Sequence, residues 1–258
     1  MSVFEIAKTE FKIVVPVRNA VTYVENCIKS IARQQYSGKW ECLIIDDNST
    51  DGTNHKIQHV LDEMPSEDIR KKFKFIENKT RVGALKNFID GFNILGAKEN
   101  PQAVLVQIDG DDQLFGKNVF EIIDSAYQYG IWMTWGNYVE SASGRVGKTG
   151  SWHSGVHHTG NYRDYEWIMS HLRTFKSHLW YSIKDEDLRD SNGNYFNSTW
   201  DLALMFPMVE MARERSSGID RILYIYNTEN SLSDHRIYRT EQLTNEAYIR
   251  KMQRYNRK

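Results

Sequence analysis

A chain of 258 residues, 40% hydrophobic and 26% charged, can bury a full core as one large domain or two small ones. Its 33 Lys or Arg against 34 Asp or Glu, a formal net charge of -1, give no reason to invoke a nucleic-acid partner, and its two cysteines, Cys27 and Cys42, sit in apolar patterns that exclude a disulfide framework or a thiolate zinc site. The N-terminal MSVFEIAKTEF has no apolar signal core and no stretch approaches the roughly 18 apolar residues of a membrane span, so a soluble, cytoplasmic protein is expected.

Phe11 to Val17 is β-branched and apolar and reads as a strand, after which Val21, Val24, Ile28 and Ile31 recur at helical spacing. Trp40 to Ile45 is the next strand, followed by a helix with Ile57, Val60 and Leu61 on its buried face. Phe73 to Glu77, a helix with Val82, Leu85, Ile89 and Phe92 on one side, and Ala103 to Ile108 complete a βαβαβαβ series. Such alternation predicts an α/β protein with a mostly parallel sheet, helices on both faces, and ligands beyond the carboxyl ends of the strands. Acidic residues collect at those ends: Asp46 and Asp47 after the second strand, and Asp109, Asp111 and Asp112 after the fourth. Two carboxylates about 4 Å apart repel by roughly 4 kcal/mol at an effective dielectric near 20. Water at an exposed turn, proton uptake or a divalent cation must offset that.

Trp132 and Trp135 lie in the strand-like IWMTWGNYV and read as core. From about residue 140, SASGRVGKTGSWHSGVHHTGNYRDYEW reads as a long surface loop, with Trp152 as a candidate platform for a sugar face. Two helical segments follow, roughly 167–183 and 200–214, and then a strand, RILYIYN, at 221–227. Residues 236–258 hold seven Lys or Arg against Glu241 and Glu246 and read as a solvated amphipathic helix, with docking to an acidic acceptor or an anionic membrane surface as the alternative. With no repeat and no linker, one continuous domain over 1–258 is expected, its second half (140–258) forming a wall beside the first (11–139).

Several nucleotide signals are absent. The turn after the first strand, PVRNA, has no glycine and so no dinucleotide fingerprint, and GRVGKT at 144–149 is too short for a phosphate-binding loop. His153, His157, His158, His171 and His178 crowd one region, but none has a carboxylate partner at ligand spacing in the sequence, so loop and core histidines are expected. What remains is IIDDNSTDGT (44–53) paired with IDGDD (108–112). Strand end, turn and helix cap account for Asp51. They do not account for Asp46 and Asp47 beside a second acidic cluster on one sheet edge. Asp-x-Asp offers hard oxygen ligands suited to Mg²⁺ or Mn²⁺ with substrate phosphates.

FKIVVPVRNA, DDNSTDGT, ENKTRVGALKNFIDG (77–91), the Asp109-x-Asp111-Asp112 cluster, HLRTF (171–175) and WDLALMFPMVEMA (200–212), in this order, resemble family 2 glycosyltransferases over about residues 11–230. The resemblance implies a Rossmann-like, A-type glycosyltransferase fold and a nucleoside-diphosphate sugar as donor. It differs where Arg18 replaces the usual Tyr or Phe before Asn19, and where Lys86-Asn87 replaces a common Arg-Asn pair. Carried over, it implies that Pro16 and Asn19 shape the base pocket, that Asp47 accepts a hydrogen bond from base or ribose, that Lys86 approaches the nucleotide, and that Asp109 touches the ribose. Asp111, with Asp112, would hold Mn²⁺ or Mg²⁺, joined by the late His235. Asp201 would be the general base of an inverting transfer, and Arg173 would reach the diphosphate or an acidic acceptor. A sugar-1-phosphate nucleotidyltransferase is the first rival, although PVRNAV lacks its glycine-rich loop; a non-catalytic nucleotide-sugar-binding module is the second. The acceptor stays open among glycan, lipid-linked glycan, protein and a modified base in DNA.

Overall fold

A computed structural model describes residues 7–147, 149–230 and 239–258, and its sheet is organised about the first strand. Phe11–Val17 (β1) is buried at every position, as a β-branched run with a layer on each side should be. Trp40–Asp46 (β2), Phe73–Glu77 (β3) and Val104–Gln107 (β4) join it in parallel, β2 and β4 flanking β1, and β3 lying outside β2. Alternate residues of β1 enter different cores. Ile13 and Val15 share a cluster with Ile28 and Ile31 of Val24–Ala32 (α1) and with Ile57 and Val60 of Thr53–Asp62 (α2). A one-turn helix, Glu67–Arg70 (α3), capped by Ser66, leads into β3. Val14 lies on the other face with Leu85, Phe88 and Phe92 of Ala84–Ile94 (α4). There the packing is close enough that a Cβ on Gly91 would come within 2.7 Å of Val14 Cγ1. Full burial of each such aliphatic or aromatic side chain contributes roughly 1.5–3 kcal/mol. The expected βαβαβαβ series is thus present, in order.

Past β4 the sheet becomes mixed. Gln113–Leu114 (β5), Val119–Gln128 (α5), Met133–Glu140 (β6), Ser154–Thr159 (α6) and Arg173–Lys176 (β7) follow in the chain. After Ser177–Trp180 (α7) and Trp200–Ala212 (α8) come Ser216–Tyr226 (β8) and Arg239–Lys251 (α9). The strands form one sheet in the order β3-β2-β1-β4-β7-β6-β8-β5. The helix expected over 167–183 is not formed. Residues Arg173–Lys176 are instead a strand antiparallel to both β4 and β6, and only α7 is helical. Register pairs Arg173 with Gln107, so the segment beginning at His171 starts beside the carboxyl end of β4.

The stretch after residue 140 is also more than a surface loop. Val156, Tyr162, Met169 and Leu172 are buried, and Arg163, 3% exposed, is held by Glu210 of α8 through Nε–Oε1 at 2.6 Å and Nη2–Oε2 at 2.9 Å. The same guanidinium donates to the carbonyl of Ile249 at 2.7 Å and so fastens α9 to the body. Basic residues of the tail are largely paired within the chain: Arg250 with Glu246, Arg254 with both oxygens of Asp164, and Arg257 with Glu214. Helix α8 is buried along almost its whole length, which explains its uniformly apolar sequence. Trp135 is core, as expected, while Trp152 packs against Tyr162 and Tyr165. Among the described residues no helix is long and apolar enough to cross a membrane.

Candidate active site

The turns after β1 and β2 are laced together. Asn19 and Asn48 adopt left-handed backbone, at φ 48° and 59°, a conformation that Asn tolerates better than most residues. Asn19 N–H donates to Ser49 Oγ at 2.9 Å, its Oδ1 accepts from Thr50 N–H at 2.9 Å, and Arg18 Nη1 donates to the carbonyls of Asp47 and Asn48. Asp46 accepts from Ser49, and Asp51 from Thr53 and Val21, so both belong to the turn itself. Asp47 reaches further. Its Oδ1 accepts from Asn78 Nδ2 and Val82 N–H, and its Oδ2 from Gly83 N–H, each at 2.9 Å. Burial opposes ionisation of Asp47, but the donors from Val82, Asn78 and Gly83 prevail and hold it below the ordinary carboxylate range. The charge feared at this strand end is therefore met by the chain's own N–H groups.

The turn after β4 is different. Gly110 is pressed against β1: a Cβ there would stand 2.5 Å from Val17 Cβ and 2.9 Å from the Pro16 carbonyl, so only glycine fits between the two flanking aspartates. Asp109 N–H donates to Tyr224 Oη at 3.0 Å, and Asp111 Oδ2 accepts from Asn230 Nδ2 at 2.7 Å. Asp112, 1% exposed, accepts from Asn227 N–H at 2.6 Å through Oδ1, whereas its Oδ2 is buried without a hydrogen bond. Burial raises Asp111, and burial with the charges of Asp111 and Asp109 pushes Asp112 well above the ordinary range. His171 stacks on Tyr224 and Tyr226, with ring centroids 4.9 and 5.3 Å apart, and its Nδ1 lies 3.9 Å from Asp109 Oδ2. Burial and the neighbouring Arg173 depress its pKa far below 6.5, which keeps the imidazole neutral. One donor atom from each of Asp109, Asp112 and His171 lies within 4.8 Å of the other two. Two carboxylates and a neutral imidazole form a donor set suited to a divalent cation such as Mn²⁺. Thus a carboxylate partner for one of the clustered histidines exists in space, although no spacing in the sequence shows it. His235 lies outside the described residues.

Thr199, also left-handed at φ 61°, turns the chain into α8 and brings Trp200 and Asp201 to the same opening. Asp201 Oδ2 accepts from Arg173 Nη2 at 2.8 Å, and Arg173, 5% exposed, is fixed by Nε–H to the Met169 carbonyl at 3.2 Å and by the Trp200 ring 5.9 Å away. Together these loops enclose a cleft of about 540 Å³. Of the residues singled out in the sequence, Pro16, Asn19, Asp47, Asp109, Asp111, Asp112, Arg173 and Asp201 all line it. Lys86 does not; it pairs with Asp90 on the same helix, and Asn87 lines the cleft instead. Sequence reasoning passed over Arg18, His171 and Asn227 as site residues, and over Trp200, the tryptophan that does line the cleft, and Gln242 of α9. Arg18, His171, Trp200 and Asn227 stood within quoted stretches without being read as site residues; Gln242 carried no signal. Asn87 Nδ2 and Asn227 Nδ2 are buried at the cleft without hydrogen-bond acceptors.

The family model described as glycosyl transferase family 2 matches residues 12–186. No curated protein matches the sequence. Among solved structures, S. aureus TarS 1–349 in complex with UDP superposes with a TM-score of 0.59 at 16% identity, over 93% of this chain and 65% of that one. The same protein in complex with UDP-GlcNAc gives 0.58 at 16% identity, over 93% and 66%. Mannosyltransferase PcManGT from Pyrobaculum calidifontis, in complex with GDP-Man and Mn²⁺, gives 0.56 at 15% identity, over 95% and 65%. The chain spans 65% of the length of TarS 1–349 and 39% of a longer TarS chain. At such identities the likeness is one of fold, the A-type glycosyltransferase architecture.

Proposed function

The chain belongs to glycosyl transferase family 2, a family of transferase enzymes, and from that premise we propose that it is a metal-dependent, inverting glycosyltransferase moving a sugar from a nucleoside-diphosphate sugar to an acceptor hydroxyl. The observation that carries the reading is the convergence of the Asp109–Asp112 turn and Asp201 on one cleft. Residues 11–139 serve as the donor half of a single domain covering 1–258, and 140–258 as its acceptor half, with Trp200 and Gln242 facing the entering acceptor. Pro16, Asn19 and Asp47 border the base, and the spare amides of Asn87 and Asn227 donate to donor oxygens. The aspartates of the Asp109–Asp112 turn would hold a divalent cation, whose charge would offset that of the departing diphosphate. Asp201 takes the proton of the acceptor hydroxyl during in-line attack, and a single displacement of this kind inverts the anomeric centre. Arg173 holds the Asp201 carboxylate in one orientation. Cys27 and Cys42 are buried free thiols, which suits the cytoplasmic location that the reading assumes.

The test is a thermal-shift screen of UDP, GDP and their sugars with and without Mn²⁺, followed by donor hydrolysis and transfer assays. A ligand at 100 times its Kd should add about 2.7 kcal/mol of stability. Asp201→Asn should then lose about 10²- to 10⁴-fold in kcat while keeping the nucleotide-induced shift. Failure of every nucleotide to stabilise the protein under either metal condition removes the reading.

A further inference from the structure

We propose that His171 is a protein ligand of the divalent cation, acting with Asp109 and Asp112, and that it makes this site select Mn²⁺ over Mg²⁺. The inference rests on the proposed function in one respect: that the cleft takes a cation at all. It goes beyond it in naming an imidazole on β7's leading edge as part of the coordination.

Three observations converge. First, donor atoms of Asp109, Asp112 and His171 lie within 4.8 Å of one another, and the Nδ1–Oδ2 separation between His171 and Asp109 is 3.9 Å. Two ligands of one octahedral ion at 2.0–2.1 Å stand about 3 Å apart when adjacent and about 4 Å when opposite, so the observed spacing matches a shared ion after little movement. It does not match a hydrogen bond, which would need about 3 Å. Second, Asp112 Oδ2 is buried and makes no hydrogen bond, an arrangement that costs stability unless something fills it. Third, the His171 ring is already aimed. It lies nearly parallel to Tyr224, at 7°, and to Tyr226, at 21°, and Tyr224 also accepts the N–H of Asp109. One strand thus orients both the imidazole and the acidic turn. Were His171 only a packing residue, stacking would be satisfied by any aromatic ring, and nothing would require a nitrogen toward Asp109. Mg²⁺ favours oxygen and sheds water reluctantly, whereas imidazole favours transition metals.

The experiment is pulsed electron paramagnetic resonance on the full chain loaded with Mn²⁺, with and without UDP or GDP, combined with titrations of Mn²⁺ and Mg²⁺. Wild type should show nitrogen coupling to Mn²⁺ that changes on labelling histidine with ¹⁵N. The coupling should vanish in His171→Asn and persist in His235→Asn. Because losing even an outer partner of a ligand costs about 10- to 100-fold in metal affinity, His171→Asn should weaken Mn²⁺ by at least tenfold and Mg²⁺ far less. Mn²⁺ bound without histidine coupling, or coupling that survives His171→Asn, overturns the inference and leaves the proposed function standing. No Mn²⁺ binding with any nucleotide sinks the metal reading and the inference with it. If His171→Asn does not fold, the labelled wild type and His235→Asn decide: coupling absent in the first, or lost in the second, overturns the assignment.

Discussion

The turns after β2 and β4 are written in nearly the same letters and end in opposite electrostatic states. Asp47 is ringed by donors from Asn78, Val82 and Gly83 and ionises more readily than an ordinary aspartate. Asp112, equally buried, has the Asn227 N–H and the Tyr224 hydroxyl against burial and two like charges beside it, and resists ionisation. Acidic sequence at a strand end is therefore not by itself a site. What separates a structural carboxylate from the ligating one proposed above is whether the fold has already supplied its partners.

The largest expected effect breaks the comparison on the β4 side. Asp112→Asn should lower metal-dependent turnover by at least about 100-fold. Without metal its thermal midpoint should stay level or rise, because a buried carboxylate lacking a full set of partners is replaced by a neutral amide. A clear fall in the metal-free midpoint would mean that Asp112 is structural like Asp47. Next comes the β2 side. Hydrogen bonds to a charged group are worth about 1.5–3 kcal/mol, so Asp47→Asn should cost about 2 kcal/mol, with or without metal. At about 2–4 °C per kcal/mol for a chain near this size, the midpoint should drop by about 4–8 °C.

Smaller still is the effect at Asp201, whose charged donor among the described residues is Arg173. Arg173→Gln removes that charged donor while keeping a polar side chain of similar length at the position. It should lower kcat about tenfold with little change in donor KM, since misorienting a reacting group costs rate more than binding. Partial recovery in Arg173→Lys would support orientation as the cause. An effect confined to donor KM would place Arg173 on the diphosphate instead.

These partnerships also mark what the sequence could and could not reveal. Strands β1, β2 and β4 are legible because a parallel strand buried on both faces reads as a largely apolar run. The segment 167–183 is not, because Ile168, Leu172, Phe175 and Leu179 fall at helical spacing while a ladder to β4 decides the outcome. That ladder joins residues far apart in the chain, and no local pattern reports it. For the same reason the acidic clusters were visible but their difference was not: the donors to Asp47 come from residues 78–83. His171 reaches Asp109 only because β7 runs beside β4. Lys86 and Asn87 differ by one residue, about 100° around α4, and only the helix phase tells which enters the cleft.

The finest test of the comparison is acid titration of stability. A carboxylate whose folded pKa lies below its unfolded value, about 3.9 for Asp and about 4.3 for Glu, binds fewer protons in the native state. Its stabilisation is complete above the unfolded value and is lost as pH falls through the folded one. Asp47 is such a group. So are Asp124 and Glu25, each held at about 2. Wild type should therefore lose stability below about pH 4, and Asp47→Asn should lose it with a shallower slope, by at most about 1.4 kcal/mol per pH unit, the linkage of one proton. Asp124 and Glu25 titrate alike in both proteins, so the difference between the two curves isolates Asp47. Parallel curves would mean that the N–H groups of Val82 and Gly83 do not favour the charged form of Asp47, and the contrast with Asp112 would then reduce to the unpartnered Oδ2 of Asp112.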